Sequence, residues 1–204
     1  MAEPRYPLLA LSRHRMGIDG EGVTTLAAGA GCPLSCAYCI NKNLLCQAPT
    51  LVSPEELYDR VKIDDLYFRA TGGGIAFGGG ESLLHLDFYE ALRPLCPEWR
   101  FTAETCLNLP RETVERAAGI FDAFLIDVKT LNGAVYRRYT GRPMGPLIEN
   151  LKFLAERSER LRLRVRVPLI PGYNTEYDQK TTASALRVLG FRDVECFSYV
   201  VRVQ

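Results

Sequence analysis

Val23-Thr24-Thr25-Leu26-Ala27-Ala28-Gly29-Ala30-Gly31-Cys32-Pro33-Leu34-Ser35-Cys36-Ala37-Tyr38-Cys39-Ile40-Asn41 joins an apolar run to a loop that carries three cysteines. The run Val23–Ala28, bounded by glycines, predicts a buried strand. The spacing C-x3-C-x2-C then brings three thiolates together on one short loop. Thiolates are the soft ligands that iron–sulfur clusters require. Three ligands to a four-iron cube leave one iron without a protein ligand, whereas a cluster that only carries electrons usually takes a fourth cysteine. Zinc is the plainer alternative, with Cys46 as fourth thiolate. Cys46 lies in Asn43-Leu44-Leu45-Cys46-Gln47, which reads as an apolar anchor more than a ligand loop. Three unrelated buried cysteines would not crowd so tightly.

Working outward, strand and helix signals alternate. Further strands are expected near Ile75–Phe77, Arg100–Glu104, Ala123–Val128, Leu163–Leu169 and Asp193–Tyr199. Ser53-Pro54-Glu55-Glu56 has an N-cap Ser, Pro at the first helical position and acids in the first turn. Leu57, Val61 and Ile63 would be the buried stripe of that helix. Helices are also expected over Leu84–Leu95, Pro110–Ala118, Pro146–Arg157 and Tyr177–Leu189, with a shorter one over Asn132–Tyr139. Strands joined by helices imply a parallel sheet with right-handed crossovers. Periodicity alone leaves open whether that sheet curls or lies flat. Ligand chemistry belongs at the carboxyl ends of its strands in either case.

The 204 residues, 47% of them apolar, suit one α/β domain spanning 1–204, with a core over about 20–200. Lys and Arg number 25 against 24 Asp and Glu, which gives no reason to expect nucleic acid or a membrane surface as partner. No apolar run has the length of a membrane span, and Met1-Ala2-Glu3-Pro4-Arg5 lacks a signal-peptide core, so a cytoplasmic location is expected. Seven cysteines, an odd number and partly clustered, point to metal binding in a reducing compartment and not to a disulfide scaffold.

The other strand ends are also unusual. Gly78-Gly79-Gly80-Glu81 allows close backbone approach to a ligand, but does not fit the dinucleotide fingerprint and alone reads as a tight turn. Gly72-Gly73-Gly74 reads as the loop entering that strand. One strand ends Thr102-Ala103-Glu104-Thr105-Cys106. The next reads Phe124-Leu125-Ile126-Asp127-Val128-Lys129, apolar until its charged end. Glu104, Asp127 and Lys129 either emerge into solvent or converge on a site, since unpaired buried charge is costly.

C-x3-C-x2-C with an aromatic before the last cysteine resembles the radical S-adenosylmethionine superfamily. The resemblance narrows over Asp127-Val128-Lys129, Tyr136-Arg137-Arg138-Tyr139-Thr140-Gly141, Leu147-Ile148-Glu149-Asn150-Leu151 and Arg164-Val165-Arg166-Val167-Pro168-Leu169-Ile170-Pro171-Gly172-Tyr173-Asn174. In order and spacing this run is similar to the small glycyl radical enzyme activases, of the pyruvate formate-lyase activating type. The resemblance implies a partial (β/α)6 barrel of parallel strands. It also implies a [4Fe–4S] cluster on Cys32, Cys36 and Cys39 whose open iron chelates S-adenosylmethionine. One electron then breaks the S–C5′ bond, and the 5′-deoxyadenosyl radical abstracts hydrogen from a glycine of the partner. By the same resemblance Tyr38 lies near the adenine, and Gly79, Gly80 and Glu81 form a GGE motif that binds the amino group. Glu104, Thr105 and Asp127 match positions that hold a monovalent cation beside the carboxylate. Lys129 and Arg166 match positions that contact the carboxylate or its surroundings. An Arg at a strand end suits bidentate carboxylate recognition. Arg162 and Arg164 are expected to be solvated.

The resemblance implies a glycyl radical enzyme as partner, and a flavodoxin or ferredoxin as electron donor. It fails at one segment. Small activases carry Pro-Tyr-His after the last strand, where this chain has Phe197-Ser198-Tyr199-Val200, and the chain ends at Gln204 ahead of the segment that follows in those enzymes. Cys46, Cys96, Cys106 and Cys196 form no second cluster motif, and His14 and His85 have no ligand spacing. Two alternatives therefore stand beside glycyl radical activation. One is a minimal radical enzyme acting on a small molecule or another peptide. The other is a non-catalytic iron–sulfur or zinc binding protein.

Overall fold

The computed structural model describes residues 3–200, so expectations placed on Met1-Ala2 and on the end at Gln204 lie outside it. Its strands are β1 (Tyr6–Met16), β2 (Val23–Gly29), β3 (Thr50–Val52), β4 (Gly74–Gly79), β5 (Arg100–Thr105), β6 (Ala123–Asp127), β7 (Arg162–Leu169) and β8 (Asp193–Ser198). The helices are α1 (Lys42–Leu45), α2 (Pro54–Val61), α3 (Asp65–Thr71), α4 (Leu86–Leu92), α5 (Arg111–Ala117), α6 (Gly133–Thr140), α7 (Gly145–Ala155) and α8 (Glu176–Leu189).

All strands belong to one sheet of order β3-β1-β2-β4-β5-β6-β7-β8. From β2 to β8 every pairing is parallel. The fold is thus mixed α/β with a mostly parallel sheet, as a partial barrel requires. The departure lies at one edge, where β1 pairs antiparallel with both β2 and β3. Neither strand was expected. β1 contains Pro7 and carries Arg13, His14 and Arg15 in a row before Met16, which breaks alternation, while β3 is three residues long. Their pairing comes from partners distant in sequence, which local pattern does not report.

The sheet curls. At the amino ends of the strands, Glu21 Oε2 accepts from Arg100 Nη1 of β5 at 3.2 Å and also from Arg162 of β7. At the carboxyl ends, one cavity is lined by Ala10 and Ser12 of β1 and by Phe197 of β8, which are strands near opposite edges of the sheet.

Helices cover the convex face over an aromatic core. The Phe77 ring lies 4.3 Å from Tyr89 and 5.4 Å from Phe101, and Phe121 packs edge-on to Tyr89 at 5.1 Å. Each such side chain taken out of water stabilises by about 1.5–3 kcal/mol. Ser53 caps α2 with a full capping box, its hydroxyl accepting from Glu56 N–H and Glu56 reaching back to Ser53 N–H. The helix ends at Val61 and the chain tightens into a 3₁₀ turn, so Ile63 leaves the buried stripe and stands 66% exposed. Cys46 is exposed and α1 has no buried residue, so this segment is not the apolar anchor its composition suggests. Among the described residues no helix is long and apolar enough to cross a membrane.

Candidate active site

The cysteine loop leaves β2 and is held by groups distant in sequence. The amides of Ser35 and Ala37 donate to the carbonyls of Thr140 and Tyr139 at the end of α6, at 2.9 and 3.0 Å. Arg142 Nε donates to Pro33 O at 3.0 Å, and Asn41 Nδ2 to Gly79 O at 2.7 Å. The Tyr199 hydroxyl, just beyond β8, donates to the carbonyl of Tyr38. The loop is therefore tied to α6, to β4 and to the far end of the sheet. Burial pushes the Cys32 thiol up and the Cys36 thiol up to about 11. Thiols raised in this way give up protons as they bind metal.

Glycine is required where β4 ends. A Cβ on Gly80 would lie 2.0 Å from the Gly31 carbonyl oxygen, and Gly79 has φ +85°. This close approach lets Glu81 N–H donate to Gly31 O at 2.7 Å, placing Glu81 beside the cysteine loop. Its carboxylate is buried and accepts the amides of Leu83 at 3.1 Å and Cys106 at 2.9 Å. Burial holds its pKa above the usual range, with Cys106 and Thr105 beside it opposing the rise.

A charged row crosses the next strand ends. Asp127 and Arg166 are register partners, and Arg166 Nε donates to Asp127 Oδ1 at 2.8 Å. Lys129 Nζ lies 3.3 Å from Asp127 Oδ2, and Arg166 Nη2 lies 3.9 Å from Glu104 Oε1. Burial alone would raise Asp127, but Lys129 and Arg166 together hold it below the usual carboxylate range. Glu104 is pushed up to about 7, chiefly by burial, with Arg166 opposing and Asp19 adding.

The sequence-predicted cysteines, Tyr38, Gly79, Gly80 and Glu81 all line the one cavity of about 510 Å³. Glu104, Thr105, Asp127, Lys129 and Arg166 line it too. Arg162 and Arg164 lie apart from it, paired to Glu21 and Asp193. Sequence reasoning missed Arg15, Asp19, Cys106, Tyr139 and Tyr199, which share the cavity wall. Only the Asp19-Gly20-Glu21-Gly22 turn carried a local signal, since polar residues between glycines mark a loop of special geometry.

The wall suits an iron–sulfur cluster and an amino-acid ligand. It offers three soft donors on one loop, glycine backbone that a side chain would fill, and a fixed cation pair beside it. Among the described residues no three His, Cys, Asp or Glu side chains are set to hold a single metal ion. The oxygens expected to hold a monovalent cation are engaged otherwise. Asp127 is bonded by Arg166 and Lys129, and the Thr105 hydroxyl accepts from Leu107 N–H at 3.0 Å. The geometry lends that cation no support.

The radical SAM superfamily model matches residues 27–183. The (2S)-3-sulfopropanediol sulfolyase activating enzyme of Bilophila wadsworthia is 31% identical over 145 residues, covering 70% of this chain and 45% of that protein. The isethionate sulfite-lyase activating enzyme of Desulfovibrio desulfuricans is 34% identical over 164 residues, covering 78% and 51%. The chain thus spans about half the length of these curated relatives. Streptococcus suis SuiB bound to S-adenosylmethionine shares the fold, with a TM-score of 0.62 at 16% identity over 86% of this chain and 38% of that one.

Proposed function

The chain belongs to the radical SAM superfamily, and from that premise we propose that it activates a glycyl radical enzyme by removing hydrogen from a backbone glycine of that partner. The observation that carries this reading is the single cavity shared by the cysteine loop, the Gly79-Gly80-Glu81 turn and the charged strand ends, in a chain whose relatives are activating enzymes. When bound, the cluster and S-adenosylmethionine supply a 5′-deoxyadenosyl radical as hydrogen acceptor.

The chain's own residues then have these roles. Cys32, Cys36 and Cys39 hold the cluster, and the burial of Cys36 favours metal ligation over solvent exposure of the thiolate. The Gly79-Gly80-Glu81 turn, its Glu81 carboxylate fixed by the Leu83 and Cys106 amides, takes the amino group of S-adenosylmethionine. Lys129 and Arg166 present positive charge to its carboxylate, held in place by Asp127. Tyr38 packs beside the adenine. A flavodoxin or ferredoxin supplies the electron.

A second reading, a minimal radical enzyme acting on a small molecule or another peptide, is favoured by Val200, which stands where the activases carry His. The test is anaerobic reconstitution with iron and sulfide, then dithionite and S-adenosylmethionine, with 5′-deoxyadenosine quantified beside a Cys36→Ala control. A glycyl EPR signal in a co-encoded partner supports activation. Cleavage with a silent partner, and label passing from a small metabolite into 5′-deoxyadenosine, supports the second reading. Neither cluster nor product overturns both.

A further inference from the structure

β1 is bent at a definite point. Its pairing with β2 passes from Ser12–Leu26 to Arg15–Thr24, one residue more on β1 than on β2. Within this bulge His14 takes φ +54°, a left-handed conformation that costs a side-chain-bearing residue about 1–2 kcal/mol. The strain is held from outside by Asp64, which is fully buried. Asp64 accepts from Arg13 Nε at 2.8 Å and from a second nitrogen of the same guanidinium, pairs with His14 Nε2 at 2.9 Å, and accepts from Thr25 Oγ1 at 2.8 Å.

Arg13 and Arg15 would share one face of a regular strand. The extra residue separates them, because a bulge re-aims the side chain that follows it. Arg13 turns to Asp64, and Arg15 turns onto the wall of the cavity. There Nη2 donates to Asp19 Oδ1 at 2.9 Å and Nε donates to Asp19 Oδ2. Asp19 is fully buried. Nη1 has only a 3.5 Å approach to Ser12 Oγ, so it retains donor capacity.

We propose that Arg15 binds the hydrogen-donating substrate, donating from Nη1 to a neutral main-chain carbonyl oxygen of a polypeptide; this rests on the activase reading. Charge decides between a carbonyl and a carboxylate. Asp19 already compensates the guanidinium, and beyond that pair the charges of Glu104 and Arg166 oppose each other. A carboxylate would find no net positive charge on the Arg15–Asp19 pair to offset its own. A carbonyl meets only a charged donor with its partner in place, which makes a strong hydrogen bond without added charge. The bulge is the device that aims this donor.

The test uses the reconstituted protein and reads binding, not turnover. Binding of S-adenosylmethionine to the wild type is measured first; its absence would overturn the activase reading and this inference with it. N-acetyl-Ala-Gly-Ala amide is then titrated into the S-adenosylmethionine complex of wild type, Arg15→Lys and the charge-neutral double variant Arg15→Gln/Asp19→Asn. N-acetylglycine serves as the carboxylate probe. The expected result is amide affinity falling about tenfold in the double variant, and carboxylate binding weaker than amide binding in the wild type. Equal amide affinity in wild type and double variant, no amide binding to the wild type, or a preference for the carboxylate would each overturn the assignment while leaving the radical chemistry intact.

Discussion

Arg166 Nε donates to Asp127 Oδ1 at 2.8 Å between directly paired residues of neighbouring strands, at the ends that face the cavity. Removing the guanidinium leaves Asp127 with Lys129 alone and Glu104 without its counter-charge. Arg166→Ala should destabilise by about 2–3 kcal/mol, less than a fully buried pair would because part of the site is open. It should also weaken S-adenosylmethionine binding by about tenfold or more. Arg166→Lys should restore part of the stability but not the affinity, since an ammonium lacks the two-pronged donor. Chemical denaturation and anaerobic calorimetry read the two effects separately, and unchanged affinity in both variants would remove Arg166 from the site.

Glu104 makes stability depend on pH. Burial raises its pKa from 4.5 to about 7, so across that window the folded chain keeps a proton that the unfolded chain has released. Stability is thus lost as pH rises through the window, and Glu104→Gln should not lose it. The gap between the two proteins should widen by on the order of 1–2 kcal/mol on going from about pH 5 to about pH 8. His85, lowered by burial, acts in the opposite sense below its ordinary value. It is common to both proteins and cancels in the difference. Parallel denaturation curves would refute the raised value.

The cysteines divide by place. Cys46 is exposed and does not line the cavity, whereas Cys32, Cys36 and Cys39 do. Iron and sulfide analysis after reconstitution should find full loading in Cys46→Ala and a loss of at least about half in Cys36→Ala. Equal losses in both would restore the four-thiolate zinc reading.

Tyr199 ties the end of the sheet to the cluster loop through the Tyr38 carbonyl. Tyr199→Phe removes one hydroxyl and leaves the ring, so the global cost should be about 1 kcal/mol. The local effect should be larger, with amide exchange at Cys39–Asn41 of the metal-free protein accelerating several-fold. Exchange unchanged at that loop would mean that the α6 carbonyls, Arg142 and Asn41 hold it without Tyr199.

Asn150 clamps the turn after β5. Its Nδ2 donates to Leu107 O at 3.0 Å and Leu109 O at 2.8 Å, around the left-handed Leu107 at φ +52°. This turn presents the Cys106 amide to Glu81. Asn150→Asp puts a carboxylate against two carbonyls and should cost about 2–4 kcal/mol, with weaker S-adenosylmethionine binding in what remains folded. Loss of stability with no change in binding would make Asn150 purely structural.

Much of this was legible in the sequence. Alternation of strand and helix is a local signal, so the parallel sheet from β2 to β8 could be read in order. The cysteine loop, Gly79-Gly80-Glu81 and the charged strand ends stood out because glycine, thiol and buried charge are each costly without a purpose. β1 and β3 were not legible, nor was the 3₁₀ turn that exposes Ile63, because pairing partners and helix termination there depend on neighbours far along the chain.

The sequence by itself determined which residues are candidates for chemistry and on which strand ends they stand, because residue type and period are local properties. Only the tertiary structure decided that these ends meet around one cavity, because curling is a collective result of twist and packing along the whole sheet. It also decided the partners within that cavity. The Cys106 amide bonds Glu81, Arg166 and Lys129 hold Asp127, and a bulge in β1 turns Arg15 to Asp19. Such pairings are set by distances of a few ångströms between segments separated by tens of residues, and those distances exist only in the folded chain.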